Sequence, residues 1–148
     1  KTALIADDVK LGNGITIWHF VNLYGCNIGD DVSVGAFTEI RKGVTIGDGS
    51  RLQAHVFIPE GVTIGKKVFI GPGVIFTNDK HPSINPDFIP EQTFVEDDVA
   101  IGAGAVIISG IRIGKGALIG AGSVVVKNVK PYALVYGNPA RVKGIRKT

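Results

Sequence analysis

An aliphatic or aromatic residue returns at every sixth position through most of the chain. From Ile28, steps of six give Ile28, Val34, Ile40, Ile46, Leu52, Ile58, Ile64, Ile70 and Phe76 without a break. A second series runs Val95, Ile101, Ile107, Ile113, Ile119 and Val125. Ile, Val, Leu and Phe are 50 of the 148 residues, so fifteen such matches arise by chance about once in ten million trials, and the period is a property of the fold. An earlier stretch, Ile5, Leu11, Ile17 and Leu23, keeps the step but lies one residue out of phase, which predicts a single five-residue step between Leu23 and Ile28.

A period of six does not fit the 3.6-residue helix, but it is a multiple of the two-residue strand repeat and keeps the same face inward at every return. Each hexad therefore reads as a short strand and a corner. Glycine commonly follows the aliphatic (Gly29, Gly35, Gly47, Gly65, Gly71, Gly102, Gly114, Gly120), where a tight bend would crowd a side chain. Three sides close a triangular coil of about 18 residues, and coils stack about 4.8 Å apart with the aliphatics as ladders in a dry interior. The prediction is an all-β prism.

The register breaks once, between Phe76 and Val95. Residues 77–94 contain Pro82, Pro86 and Pro90 among polar residues and are expected to form an extruded loop. Its length exceeds the about 12–15 residues beyond which loops in compact domains are usually functional or disordered. Residues 1–130 are expected to form the β-helix domain. Residues 131–148, where the repeat stops, are expected to be a capping tail of the same domain, shielding the open strand edge of the last coil.

Composition narrows the classes. Hydrophobic residues at 45% and charged residues at 20% exclude a disordered chain. No apolar run approaches the ~20 residues of a membrane span, Lys1 to Asp8 lacks the apolar stretch of a secretory signal, and Cys26 stands alone, without a disulfide or cysteine-based metal site. These features predict a cytoplasmic protein with no membrane partner. The net charge of +3 conceals an asymmetry: residues 1–98 carry 8 Lys/Arg against 13 Asp/Glu, whereas residues 99–148 carry 8 Lys/Arg and no acid. Those cations are spread out without interleaved aromatics, which disfavours nucleic acid and fits a phosphorylated small molecule. Gly102-x-Gly104 lacks the third glycine of a dinucleotide fingerprint, and no Gly-Lys-Ser/Thr phosphate loop occurs.

The repeat resembles that of the hexapeptide-repeat family, over nearly the whole chain. The resemblance implies a left-handed parallel β-helix of about six coils, some 29 Å tall by the strand spacing, and a homotrimer. Ile101-Gly102-Ala103-Gly104-Ala105, Ile119-Gly120-Ala121-Gly122-Ser123 through Lys127, and Gly137-Asn138-Pro139-Ala140-Arg141 look like the acyl-CoA-binding region of hexapeptide acyltransferases. This implies acetyl-CoA as co-substrate, with Ala103, Ala121, Lys127 and Arg141 as its binding residues. Small residues leave room and free backbone polar groups for pantetheine, and cations suit the phosphates of CoA.

Further segments resemble N-acetyltransferases acting on the 3-amino group of nucleotide-linked sugars: Ile17-Trp18-His19-Phe20-Val21-Asn22-Leu23-Tyr24-Gly25-Cys26, Glu39-Ile40-Arg41-Lys42-Gly43, Pro59-Glu60-Gly61-Val62 and Phe76-Thr77-Asn78-Asp79. That likeness implies surface-polysaccharide synthesis, with Asn78 beside the reacting amine and Glu39, His55 and Asn78 as acceptor-binding residues. A neutral amine already carries its nucleophilic lone pair, so orientation can replace a strong base.

Rival readings start from the histidines. Thr77 with His81-Pro82 resembles the Thr/His-Pro segment of sugar O-acetyltransferases, with one extra residue in the spacing, and implies His81 as base for a hydroxyl acceptor. His19, His55 and His81 also raise the γ-type carbonic anhydrases, where histidines from neighbouring chains hold a metal. No two of these histidines are close in sequence, and His19 and His55, nominally two coils or about 10 Å apart, are too far to share an ion within one chain. No metal is therefore expected. A purely structural β-helix leaves the long loop without a purpose. Cys26, with no cationic partner in the sequence nearby, is expected to be a packing residue.

Overall fold

The computed structural model describes residues 2–147. Lys1 and Thr148, the outermost positions of the two ranges expected above, lie outside the described residues. No helix of the described chain is long and apolar enough to cross a membrane.

The hexads fold into three parallel sheets, one per side of a triangular prism. The first sheet stacks Leu4–Ile5, Asn22–Leu23, Glu39–Ile40, Phe57–Ile58, Ile75–Phe76, Val106–Ile107 and Val124–Val125. The second stacks Lys10–Leu11, Asn27–Ile28, Thr45–Ile46, Val62–Ile64, Thr93–Val95 and Arg112–Ile113. The third stacks Thr16–Ile17, Ser33–Val34, Arg51–Leu52, Phe69–Ile70, Ala100–Ile101, Leu118–Ile119 and Ala133–Gly137, with Ala140–Ile145 added antiparallel at its end.

Register follows the 18-residue coil, as in Glu39 opposite Phe57 and Ile40 opposite Ile58. The five-residue step lies in the corner Tyr24-Gly25-Cys26, so that Leu11 pairs with Ile28 only 17 residues on. Gly25 takes φ +44° there, a conformation glycine adopts without the Cβ penalty. Cys26 fills the inner position of this shortened corner, fully buried, and burial first among the causes pushes its thiol up to about 11. It is a packing residue.

Two expectations are corrected. Among the described residues the first sheet has seven strands, so the prism they form has seven coils rather than about six. The out-of-phase stretch from Ile5 to Leu23 supplies rungs of its own, and Ala133–Gly137 of the tail continues the third sheet by pairing parallel to Leu118–Ile119. The loop is also shorter than 77–94, because Thr93 and Phe94 pair with Val62 and Thr63. Thr93 fills the inner position two residues before Val95 and is fully buried.

That inner position recurs on every side, so each side buries two residues: Val44 with Ile46, Val56 with Ile58, Val68 with Ile70. Most are aliphatic, and the polar ones are paired. Buried Ser50 donates its hydroxyl to the Gly65 carbonyl at 2.8 Å and accepts the Val68 N–H at 3.0 Å. Thr38 does the same toward Gln53 O at 3.1 Å and Val56 N at 3.3 Å. Among the described residues no buried side-chain nitrogen or oxygen lacks a partner. At the far end Arg146 fastens the last strand, donating to the carbonyl of Asp98 at 2.7 Å and of Gly116 at 3.3 Å.

Ser50→Ala should cost about 1–3 kcal/mol, because the Gly65 carbonyl and Val68 N–H are then buried without a partner. Chemical denaturation should show a lower midpoint with an unaltered slope.

Candidate active site

Because coils superpose, residues 18 apart meet along the edges of the prism. The edge between the first and second sheets carries Lys42, Glu60 and Asn78 on successive coils, and the long loop leaves from it at Thr77. Asn78 is clamped from two directions. Its side-chain nitrogen donates to the Glu60 carbonyl at 3.0 Å, and its own carbonyl accepts the Glu91 N–H at 3.0 Å where the loop returns. A carbonyl partner requires the NH₂ half of the amide, so Asn78 Oδ1 remains as the acceptor.

Glu91 braces the base of the loop. Its Oε1 accepts the Lys80 N–H and the Ser109 hydroxyl, both at 3.0 Å, and its Oε2 lies 3.4 Å from Lys80 Nζ. Burial works to raise its carboxyl pKa, but the Lys80 N–H, the Ser109 hydroxyl and the Lys80 ammonium together hold it below the usual carboxylate range. Thr77 adds a second tie, its hydroxyl donating to the Ile107 carbonyl at 3.3 Å and accepting the Ser109 N–H at 3.1 Å. Farther out, Asn85 Oδ1 accepts the Asp87 N–H at 3.0 Å in a local turn that precedes Phe88. Phe88 then folds back to form one wall of a cleft of about 440 Å³ lined by Arg41, Lys42, Phe57, Pro59, Glu60 and Asn78.

The predicted acceptor residues do not all meet. Glu39 lies on the outer face of the first sheet and pairs with Arg41 at 3.0 Å, which places it beside the cleft. His55 sits on another edge, between the third and first sheets, and within one chain does not line the cleft around Asn78. Its ring stacks on Phe37 at 4.9 Å with a 3° tilt, and Phe37 stacks on Phe20 at 5.1 Å. His19 is on that edge too, near the open first coil, with Nδ1 2.6 Å from the Thr2 hydroxyl. His81 is exposed on the loop. Its backbone N–H donates to Asp79 Oδ1 at 2.8 Å, and its side chain is outside the cleft. Among the described residues of one chain, no three His, Cys, Asp or Glu side chains converge as metal ligands.

The four predicted CoA residues divide two and two. Lys127 and Arg141 come together in a cleft of about 130 Å³ between the last coil and the final strand, walled by Val126, Val129 and Val142. Lys127 follows the first sheet and so shares the edge of Asn78, two coils on. Ala103 and Ala121 follow the third sheet and stack on the edge of His55, where the Gly122 N–H donates to Ala103 O at 2.8 Å. That edge is bare: a Cβ at Gly104 or Gly122 would meet nothing within 4 Å. Within one chain the outer face of the first sheet separates the two pairs.

Arg41, Lys42, Phe88 and Glu91 were not among the predicted site residues. For Lys42 the signal was present, since it stands two coils of 18 before Asn78. Phe88 reaches the cleft, and Glu91 the Asn78 carbonyl, only through the path of the loop, which no repeat encodes.

Residues 25–60 and 92–127 match the family described as bacterial transferase hexapeptide (six repeats). The bifunctional protein GlmU of Thermotoga maritima is 36% identical over 151 residues, covering 91% of this chain and 32% of that protein. The chain thus spans about a third of the length of the curated relatives first matched. Among solved structures, the hexapeptide-repeat acetyltransferase VCA0836 of Vibrio cholerae O1 biovar El Tor, complexed with acetyl coenzyme A, is 31% identical with a TM-score of 0.71. The match covers 84% of this chain and 73% of that one. A galactoside acetyltransferase in complex with coenzyme A is 27% identical with a TM-score of 0.70, covering 82% of this chain and 65% of that one. With its seven coils of hexads, its matched repeats and a 31% identical relative of which it spans 73%, the chain belongs to the hexapeptide-repeat acetyltransferase family and carries that family's left-handed parallel β-helix.

Proposed function

We propose that the protein transfers an acetyl group from acetyl-CoA to the amino group of a nucleotide-linked amino sugar, and that it does so as a homotrimer. The observation that carries the acceptor assignment is the clamp on Asn78, which lines the cleft and whose NH₂ is held by the Glu60 carbonyl, leaving Oδ1 without a partner among the described residues. An oxygen fixed in this way accepts an N–H from the sugar amine and aims its lone pair, which is the orientation an already nucleophilic group needs. His81 is exposed outside that cleft.

Support for acetyl-CoA comes from the relatives solved with acetyl-CoA or CoA and from the convergence of Lys127 and Arg141 on one cleft, two cations suited to phosphates. Support for the trimer comes from the division of the site. Ala103 and Ala121 reach the edge of Asn78 and Lys127 only if a neighbouring chain presents them, and Trp18, Phe20 and Phe37 are each more than half exposed on the same edge as the two alanines.

In the resulting ternary complex the amine attacks the thioester carbonyl directly. The C–N bond forms, a backbone N–H stabilises the oxyanion, and collapse breaks the C–S bond with CoA leaving as its thiol. The proton is lost from nitrogen after attack, and no acyl-enzyme forms.

Incubation with acetyl-CoA and a panel of amino and hydroxy sugars, free and nucleotide-linked, should give a product with one added acetyl group by mass only when a nucleotide-linked amine is present. Asn78→Ala should lower kcat by about 10²-fold or more through loss of orientation, while His81→Ala stays within a few-fold; the reverse order would assign the reaction to a hydroxyl acceptor. Lys127→Ala or Arg141→Ala should weaken CoA binding by about 1–3 kcal/mol in low-salt calorimetry. Light scattering at micromolar concentration should give three times the mass of one chain, and a fully active monomer would reject the shared site.

A further inference from the structure

The edge that carries Asn78 has an ordered run of charge along the prism axis. Coil three presents Arg41 and Lys42, coil four Glu60, coil five Asn78 and coil seven Lys127, which meets Arg141. The two groups of cations are therefore four coils, or about 19 Å, apart. Arg41 spends one N–H on Glu39 at 3.0 Å and keeps the rest of its fork, and Lys42 has no carboxylate within ion-pair distance among the described residues. Both line the Asn78 cleft, with Phe57, Pro59 and Phe88 as its apolar walls.

Resting on the acetyl-transfer reading above, we propose that Arg41 and Lys42 are the specificity-determining residues for the acceptor, holding the diphosphate through which its sugar is linked to the nucleoside. Two polyanionic substrates must occupy this edge together, and like charges brought close would oppose binding. With one set of phosphates at coil three and the other at coil seven, the separation exceeds the Debye length of about 8 Å at physiological salt. The uncharged ends of both substrates then meet between them, at Asn78.

Glu60 sets the direction. Glu60 lines the same cleft on the coil between the cations and Asn78, where a carboxylate repels a phosphate and accepts an N–H from an amine. An acceptor with an anionic end and an amino end is thereby bound in one orientation. Arg41 supplies a planar fork for paired phosphate oxygens, and Lys42 a point charge on a flexible stem.

The test compares a nucleoside-diphosphate-linked amino sugar with the same amino sugar unlinked, using wild type, Lys42→Ala, Arg41→Ala, Lys42→Glu and Lys42→Arg. Lys42→Ala and Arg41→Ala should each raise KM for the linked acceptor about 10- to 100-fold, the range of a charge-assisted hydrogen bond, with kcat and KM for acetyl-CoA unaltered. Lys42→Glu should raise it further, and Lys42→Arg should restore most of the affinity. Calorimetry with UDP, dTDP and inorganic pyrophosphate should show the same order without turnover, and unchanged thermal melting should report intact folds. If wild type uses linked and unlinked sugars equally, the nucleotide-linked reading fails and this assignment with it. If wild type prefers the linked sugar while Lys42→Ala, Arg41→Ala and Lys42→Glu leave its KM and the nucleotide affinities unaltered, only the assignment to Arg41 and Lys42 is overturned.

Discussion

Backbone N–H groups at both ends of a side donate to carbonyls one coil away, as Glu39 does to Val56 O at 3.0 Å and Gly35 to Leu52 O at 2.8 Å. These bonds run along the axis, so every coil must match its neighbours in length and corner position or leave backbone groups unpaired against a dry interior. The interior adds the second half of the constraint, because its ladders are aliphatic and a slip of one residue would turn them outward. Gly102 shows how tight the stacking is: a Cβ there would lie 2.5 Å from Ala121 N. A chain under this constraint changes freely only at its corners.

The site is a consequence of where those changes occur. The loop leaves and re-enters at one corner, so the second sheet resumes at Thr93 opposite Val62, 31 residues on where a coil takes 18, as though thirteen residues were absent. Glu91 makes that possible by tying the returning strand to Lys80 and Ser109. The same closure holds Asn78 by its backbone carbonyl, while Glu60 of the preceding coil holds its side chain, and it brings Phe88 over the cleft. What looks like an interruption of the repeat is thus the element that fixes the backbone carrying one polar side chain on the rim of an apolar prism.

The division of the small residues and the cations between two edges has the same origin. Ala103 and Ala121 follow strands of the third sheet, whereas Lys127 follows a strand of the first, and the flat outer face of the first sheet lies between them. A triangular solenoid cannot fold one edge onto another, so groups on two edges can cooperate only across chains. The exposed stack of Phe20, Phe37 and His55, on the edge that bears the alanines, is consistent with a surface of that kind.

The six-residue period was enough to determine the three-sided prism, the inward ladders, a shortened step between Leu23 and Ile28 and the corner from which the loop leaves, because inward facing is a local property of a strand. With the coil length of 18 it also held the alignment of Lys42 with Asn78, although the charges alone gave no reason to choose Lys42. Tertiary structure alone decided that Thr93 and Phe94 belong to a strand, that the tail completes a seventh coil, and that Glu91 and Phe88 return to Asn78. It also decided that within one chain His55 lies on a different edge from Asn78. The reason is that a repeat specifies which way each residue points and how far it lies along the axis, whereas which edges meet and where an unrepeated loop closes depend on hydrogen bonds and contacts between residues that no period relates.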